Sequence, residues 1–189
     1  MKIQEILKQP EGKTLEFKRD ISSLKPILKT LVAFANTAGG ILLVGLENDG
    51  TVYGVPEVLQ AEERLANAIA DSIHPALMPE IEIYSHNDKP LLVLRVFHWK
   101  GPFYLKADGP VKGVYVRFGS TNRQASPEIL AELQRSMQNR SFDQLPCHDL
   151  SIEALDMEKV QRVFTATGRQ IDEKKIESLG LLVPHAGGL

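Results

Sequence analysis

The chain has 189 residues, 43% of them hydrophobic, one cysteine (Cys147) and a formal net charge of -2. This hydrophobic fraction excludes an intrinsically disordered chain, the charge excludes a histone-like polycation, and a lone cysteine excludes an intrachain disulfide. No segment approaches the roughly 20 apolar residues of a membrane span and no signal peptide is visible, so we predict a cytoplasmic protein without a membrane partner.

Helical spacing of apolar residues alternates with strand-like runs over residues 1–73. The pattern predicts helices at 3–8, 24–38 and 58–73 and strands at 14–17, 41–46 and 51–55. Ser22 or Ser23 is the expected cap of the second helix, and Gly39-Gly40 ends it. Asn48-Asp49-Gly50 predicts a tight hairpin turn between the last two strands, because Asp-Gly readily adopts positive φ angles.

Strands dominate the next part of the chain. They are predicted at 80–84, 91–97, 102–106 and 114–118, and a helix follows to about residue 137. Ser126 is its expected cap, with Pro127 at the first helical position. The sequence therefore predicts an α+β domain, a mixed β-sheet with flanking helices, that ends near residue 140.

The C-terminal part differs in composition from the rest. Residues 1–140 carry 17 basic against 16 acidic residues, a net charge of +1, whereas residues 141–189 carry 5 against 8, or -3. The tail predicts a linker and two short helices, at 156–167 and 172–179, with too few apolar residues for a core of its own. We therefore expect one domain at 1–140 and, at 141–189, a helical extension that is the truncated start of a further C-terminal region.

Two segments carry residue types that suit phosphate. Lys18-Arg19 lead into the second helix, on which Lys25 and Lys29 lie four residues apart and so on one face. After the strand at 114–118, hydroxyl and amide side chains lie between two arginines. The structural alternatives are a solvated helix face and an ordinary polar loop. We predict nucleic-acid contacts through Lys18, Arg19, Lys25, Lys29, Arg117, Ser120, Thr121, Asn122 and Arg123.

Four acids lie near these bases: Glu11, Glu16, Glu47 and Asp49. Three carboxylates around one pocket could hold Mg²⁺ or Mn²⁺ and activate water. The structural alternative assigns them to a turn, an ion pair within the sheet and hairpin geometry. The histidines lack zinc-ligand spacing, and the segment Asn36 to Gly40 lacks the Gly-Lys-Ser/Thr end of a phosphate loop. Outside the catalytic alternative, no metal or other cofactor is predicted.

Three blocks of the sequence resemble the Schlafen-type, AlbA-like DNA-binding domain. The blocks are LEFKRD at 15–20, FANTAGGILLVGLENDGTVYGV at 34–55 and VYVRFGSTNRQASPEIL at 114–130. The domain occurs in bacterial transcriptional regulators and in relatives of an ATP-dependent DNA helicase. The resemblance covers residues 1 to about 140. It implies an α+β fold whose basic face binds nucleic acid, and we expect the DNA-binding domain of a bacterial regulator.

Two alternatives stay open, and the resemblance implies the first of them. Some Schlafen proteins are endoribonucleases with three acidic residues, the first two in a Glu-x4-Glu-Phe-Lys pattern that Glu11 and Glu16-Phe17-Lys18 match. Glu47 or Asp49 would then be the third acid, with Mg²⁺ or Mn²⁺ as cofactor. The other alternative is an oligomerisation module of a larger ATPase-like regulator, in which an apolar sheet edge forms a homodimer.

Overall fold

A computed structural model describes residues 3–47, 49–139 and 154–179, apart from the side chain of Glu173. The predictions for Asn48, Cys147, the linker at 141–153 and the final segment at 180–189 lie outside the described residues. The chain divides into two compact units, Met1–Asn139 and Arg140–Leu189.

The first unit begins with a short helix and then alternates strands and helices. Its helices are α1 Ile3–Ile6, α2 Leu24–Asn36, α3 Val58–Ser72, α4 Gly109–Lys112 and α5 Pro127–Met137. Its strands are β1 Leu15–Lys18, β2 Gly40–Val44, β3 Ile73–His74, β4 Glu80–His86, β5 Lys89–Val96, β6 Tyr104–Leu105, β7 Tyr115–Phe118 and β8 Thr121–Gln124.

A four-stranded mixed sheet in the order β1-β2-β5-β4 organises this unit. β1 and β2 are parallel, whereas β2 with β5 and β5 with β4 are antiparallel. β3 pairs with β6 and β7 with β8 in two smaller ladders. The prediction of an α+β fold with a mixed sheet and flanking helices is confirmed.

The sheet buries apolar side chains on both faces. Alternate residues such as Leu42 and Leu92 pack with α2 and α3 in the larger core, and Leu43 and Val93 pack with α1 in the smaller one. Complete burial of a side chain of this size contributes about 1.5–3 kcal/mol. β2 is buried from both sides, which explains its uninterrupted apolar sequence.

The register of β1 places a charged pair on the larger core's side of the sheet. Glu16 lies beside Leu42 and Lys18 beside Val44, whereas Phe17 faces the smaller core. Because β1 is an edge strand, these two polar side chains lie at the rim of the core and next to α2. This position makes a site for them.

The predicted return strand at 51–55 is wrong. Among the described residues, the only β-pairing of this stretch is a single bridge between Leu46 and Val52. Gly45 and Gly54 have φ angles of 104° and 90°, and the N–H groups of Tyr53 and Gly54 both donate to the carbonyl of Gly45. The chain therefore turns twice in a conformation that suits glycine and does not extend as a ladder.

Three short elements escaped the sequence analysis: β3, α4 and β8. β8 reads Thr-Asn-Arg-Gln and has no apolar alternation, so it was predicted as a loop. It forms because it pairs with β7 in a hairpin closed around Gly119, whose φ is 59°. Cross-strand pairing decides its conformation, and this lies outside local propensity.

The second unit contains, among its described residues, two short helices, α6 Met157–Ala166 and α7 Glu173–Ser178. Each begins at an aspartate whose carboxylate accepts a backbone N–H of the first turn. Asp156 accepts from Lys159 at 3.1 Å, and Asp172 from Lys175 at 2.8 Å. The two predicted helices of this region are thus present, and side-chain capping sets where both begin.

Candidate nucleic-acid interface

A surface cleft of about 440 Å³ lies between β1, the first turns of α2 and β8. It brings together five of the residues singled out from the sequence: Glu16, Lys18, Lys25, Lys29 and Asn122. Its remaining lining residues are Ser23, Pro26 and Thr30. We call these eight residues the basic cleft.

Glu16 forms the floor of the basic cleft and is only 8% exposed. One of its carboxylate oxygens lies 2.5 Å from Nζ of Lys18 and the other 2.5 Å from Nη2 of Arg117. A buried carboxylate is costly unless it is paired, and here two cations pair with it. Both carboxylate oxygens of Glu16, one of the catalytic acids of the nuclease alternative, are therefore ion-paired.

The guanidinium of Arg117 is completely buried behind the floor of the cleft. Its Nε and Nη2 donate to the carbonyl of Gly12 at 3.2 and 2.8 Å, and Nη2 also donates to that of Leu15 at 3.3 Å. Nη1 donates to Oδ1 of Asn122 at 2.9 Å, and the guanidinium lies over the ring of Phe34. Arg117 thus connects β1 to the β7–β8 hairpin. It does not line the cleft itself but is ion-paired with Glu16, which does.

The end of α2 anchors the same hairpin. Oγ1 of Thr37 accepts the backbone N–H of Arg117 at 2.9 Å. The amide of Asn36 is buried: it donates to the carbonyls of Phe103 and Tyr115 and accepts the N–H of Phe103, all within 2.9 Å. From the sequence, the segment Asn36 to Gly40 ends a helix and begins the central strand, and Asn36 is a candidate to reach the site. In the structure it positions β7, and therefore Arg117.

Three lysines surround the cleft. Lys25 and Lys29 lie one turn apart on α2; the ammonium of Lys25 is 3.2 Å from Asp108, and that of Lys29 lies 4.8 Å from the centre of the Tyr115 ring. The side chain of Lys25 is 63% exposed and that of Lys18 is 27% exposed. The ion pair of the exposed Lys25 is of the weak surface kind, so its ammonium can exchange Asp108 for a ligand, whereas Lys18 is paired with the buried Glu16.

Neutral polar groups complete the lining. Ser23 is the N-cap residue of α2, but its hydroxyl makes no capping hydrogen bond with the helix. Oγ1 of Thr30 donates to the carbonyl of Pro26 at 3.1 Å and accepts from Nδ2 of Asn122 at 2.8 Å. The hydroxyl of Thr30 therefore connects the hairpin to α2. The sequence signal for Thr30 was a hydroxyl among the apolar residues of the buried face of α2, and Thr30 was not predicted as a site residue.

The other predicted basic residues lie outside the basic cleft. Arg19 is 3.3 Å from Glu47 and lies over the ring of Tyr53; the side chain of Tyr53, and then the charge of Glu47, raise the pKa of Arg19. Arg123 is exposed and, by its register opposite Val116, lies on the hairpin face opposite to Arg117.

The predicted hydroxyl residues Ser120 and Thr121 lie at the tip of the hairpin. Both are exposed, and Oγ1 of Thr121 donates to the carbonyl of Phe118 at 2.9 Å. Phe118 itself is exposed on the outer face. Neither hydroxyl lines the basic cleft, so the segment 117–123 is divided between its two faces.

The four acids each have a local partner. Oε1 of Glu11 accepts the backbone N–H of Phe17 at 2.7 Å, and Oδ1 of Asp49 accepts that of Thr51 at 2.8 Å. Glu16 and Glu47 are ion-paired as described. Among the described residues no three His, Cys, Asp or Glu side chains are grouped so that they could hold a metal ion.

The hydrogen bond from Thr51 lowers the pKa of Asp49. A lowered pKa in the folded state means that this carboxylate stabilises the fold above its unfolded pKa and that this contribution is lost as pH falls through the folded value. We expect Asp49→Ala to be less stable than the parent at neutral pH and equally stable in acid. Urea unfolding at both pH values measures this. A difference that persists in acid would contradict it.

Comparison with known families identifies the domain. A family model described as Schlafen, AlbA_2 matches residues 11–126, which is more than half of the chain. The chain belongs to the Schlafen AlbA_2 family. The matched range contains every residue of the basic cleft, and the family associates the chain with nucleic-acid-related domains.

Two solved structures are similar to this Schlafen AlbA_2 chain. One is the N-terminal domain of an ATP-dependent DNA helicase RecG-related protein from Nitrosomonas europaea, with 29% identity, 66% of this chain and 90% of that chain covered, and a TM-score of 0.48. The other is the DIP2311 protein from Corynebacterium diphtheriae, with 19% identity, 91% of this chain and 33% of that chain covered, and a TM-score of 0.54. The chain thus spans about a third of the latter protein. At 19% identity, this second likeness supports the fold alone.

No curated protein matches the chain. Within the part of the chain that the structure describes, none of the helices combines the length and apolar character needed to cross a bilayer.

Proposed function

We propose that this Schlafen AlbA_2 domain binds nucleic acid, DNA in the first place, by holding backbone phosphates in the basic cleft. The observation that carries the proposal is the convergence of Lys18, Lys25 and Lys29 on one cleft whose single carboxylate is already paired with two cations. With three ammonium groups and one carboxylate, the lining carries a net charge of +2. A phosphodiester backbone is the polyanion that such a lining attracts.

The arrangement favours phosphate over a neutral ligand for a second reason. Ser23 contributes a hydroxyl that the helix does not use, next to the N-terminus of α2, where the helix dipole favours anions. Asn122 adds an amide nitrogen with two N–H groups, one of which donates to Thr30; Thr30 is itself buried and its hydroxyl donates to the carbonyl of Pro26, so it positions Asn122. These groups give geometry to contacts whose strength comes from the lysines. Nothing among them reads a base edge, so we expect binding with little sequence preference.

In this proposal Arg117 acts as a positioning residue. Its buried guanidinium fixes Glu16 and Asn122 relative to each other, and the paired Glu16 in turn holds Lys18 at the cleft. We further propose that the domain supplies DNA binding to a bacterial transcriptional regulator in the cytoplasm. Arg19, Ser120, Thr121 and Arg123 lie outside the cleft and would contact only a ligand that extends beyond it.

Fluorescence anisotropy with labelled duplex DNA and a labelled structured RNA tests the proposal, each at several salt concentrations. Binding whose affinity falls steeply with salt is the expected result, because each neutralised phosphate contributes about 0.9 to the slope of log K against log salt. A gel of the same samples, with Mn²⁺ or with a chelator, monitors cleavage. Absence of affinity for both ligands at low salt would overturn the proposal.

Glu16→Gln separates binding from the nuclease alternative. If the cleft only binds phosphates, Glu16→Gln should keep salt-dependent binding because the three lysines remain, and it should lower the free energy of unfolding because the buried guanidinium of Arg117 loses its carboxylate. If Glu16 were a metal-binding catalytic acid, the same variant would abolish metal-dependent RNA cleavage and leave binding intact. Glu63→Gln is the matched control, since Glu63 carries the same charge, is exposed on α3, does not line the cleft and is not an acid of the nuclease alternative. If the parent chain cleaves the RNA and Glu16→Gln does not, the nuclease alternative is favoured.

A further inference from the structure

The two edges of the four-stranded sheet are treated differently. At β1, the N–H of Phe17 donates to Glu11, and the carbonyl of Leu15 accepts from Gly12 and Arg117. Side chains and a turn therefore occupy the hydrogen-bonding groups of that edge. Among the described residues, no hydrogen bond outside the ladder with β5 uses a backbone group of β4.

The turn before β5 fixes which groups of β4 point outward. Asn87 and Asp88 both have positive φ angles, 49° and 60°, as in a two-residue type I′ hairpin. In such a hairpin the flanking residues, His86 and Lys89, form a hydrogen-bonded pair, and bonded and non-bonded pairs then alternate. Every second residue of β4 therefore presents its N–H and C=O away from the sheet, namely Ile81, Ile83 and Ser85.

The side chains of β4 are self-complementary in one antiparallel register. If Ile83 lies opposite its own copy, Ile81 meets Ser85, Glu82 meets Tyr84 and Glu80 meets His86 across the twofold axis. All seven residues then pair, and the three outward-facing residues form hydrogen-bonded pairs, about six bonds in total. The close non-hydrogen-bonded pairs place a carboxylate beside an imidazole at each end of the interface.

The neighbouring registers are poorer. Centring on Glu82 places two carboxylates opposite each other, which is destabilising. Centring on Tyr84 leaves two residues of the strand without a partner. The strand also contains neither proline nor lysine, two residue types that commonly protect an edge, and Ile83 is 43% exposed on it.

We propose that β4 is a homodimerisation edge: two copies of this chain pair antiparallel through Glu80–His86, centred on Ile83, and join two four-stranded sheets into one. The pairing is independent of the basic cleft. We infer that a second copy of this chain is the partner of β4. The register that pairs the whole strand is also the one that places Glu80 opposite His86.

Sedimentation velocity of the full chain over a wide range of concentrations tests this interface. We expect a reversible dimer. Glu80→Lys should weaken it about tenfold, since each of the two symmetric pairs loses its carboxylate–imidazole contact and gains an ammonium beside the imidazole. The double variant Glu80→Lys with His86→Glu should restore it, because each introduced lysine again faces a carboxylate. Glu63→Lys, with the same charge change at an exposed site on α3, is the control.

Ile83→Lys places two lysines at the centre and should give a monomer at every concentration, with circular dichroism confirming that it remains folded. A parent chain that is monomeric at every concentration would overturn the proposal. It would do so even if the β4 edge were found to pair with a foreign peptide. A dimer that Glu80→Lys and Glu63→Lys affect equally, or that the double variant does not restore, would overturn it as well.

Discussion

Replacing Arg117 with methionine is expected to lower the free energy of unfolding by about 3–5 kcal/mol, which is the usual cost of removing one partner from a buried ion pair. Methionine keeps much of the volume but removes every side-chain donor. The carbonyl of Gly12 then loses both of its guanidinium contacts, and Glu16 keeps Lys18 as its only cation. Urea unfolding followed by circular dichroism measures the change.

Arg123→Met is the matched control for this experiment. It changes the same residue type six positions along the same hairpin, but the side chain is exposed on the opposite face, so we expect a change below about 0.5 kcal/mol. Combining Arg117→Met with Glu16→Leu removes the uncompensated carboxylate and should recover part of the loss. Equal effects of the two arginine variants would contradict the role that we assign to Arg117.

The sequence predicted the parts of the fold whose signal is local. α2 and β2 show clear apolar periodicity or continuity, and both ends of each were predicted within two residues of where they are observed. The return strand after Asp49 was predicted from turn chemistry alone. Two glycines with positive φ changed the path of the chain there, and their conformation depends on contacts made only in the folded sheet.

The candidate site was predictable in composition but not in arrangement. Lys18, Lys25 and Lys29 were identified from their spacing, and the parallel pairing of β1 with β2 brings them to one cleft with Asn122 from a hairpin over 90 residues away. Arg117 and Arg123 looked alike in sequence. Alternation along β7 and β8 separates them, because one faces α2 and is buried whereas the other is exposed.

This difference explains why basic residue counts are a poor guide to the binding surface. A near-neutral domain can still bind a polyanion if its cations converge and its acids are paired elsewhere. In this chain Glu47 is paired with Arg19 and Glu11 with a backbone N–H, so neither carboxylate is directed at the basic cleft. The local charge of the cleft, and not the net charge of -2, is the relevant quantity.

The triple variant Lys18→Ala, Lys25→Ala and Lys29→Ala should reduce affinity for duplex DNA about 100-fold at 0.1 M salt and flatten the slope of log K against log salt by about 2.7, because three phosphate contacts are lost. Anisotropy titrations over a series of salt concentrations measure both quantities. The two readouts together identify ionic contacts, since a merely misfolded variant would lose affinity at every salt concentration alike.

The control carries the same charge change elsewhere: Lys8→Ala, Arg64→Ala and Lys174→Ala, three exposed residues that do not line the cleft. If binding followed net charge alone, the two triple variants would weaken it equally, and the basic cleft would lose its role. If the cleft holds the phosphates, the control keeps most of the affinity and nearly the full salt slope. The single variants compare Lys18, beside Glu16 on the floor of the cleft, with Lys25 on α2. The ammonium of Lys18 must leave Glu16 to reach a phosphate, so Lys18→Ala should reduce DNA affinity less than Lys25→Ala.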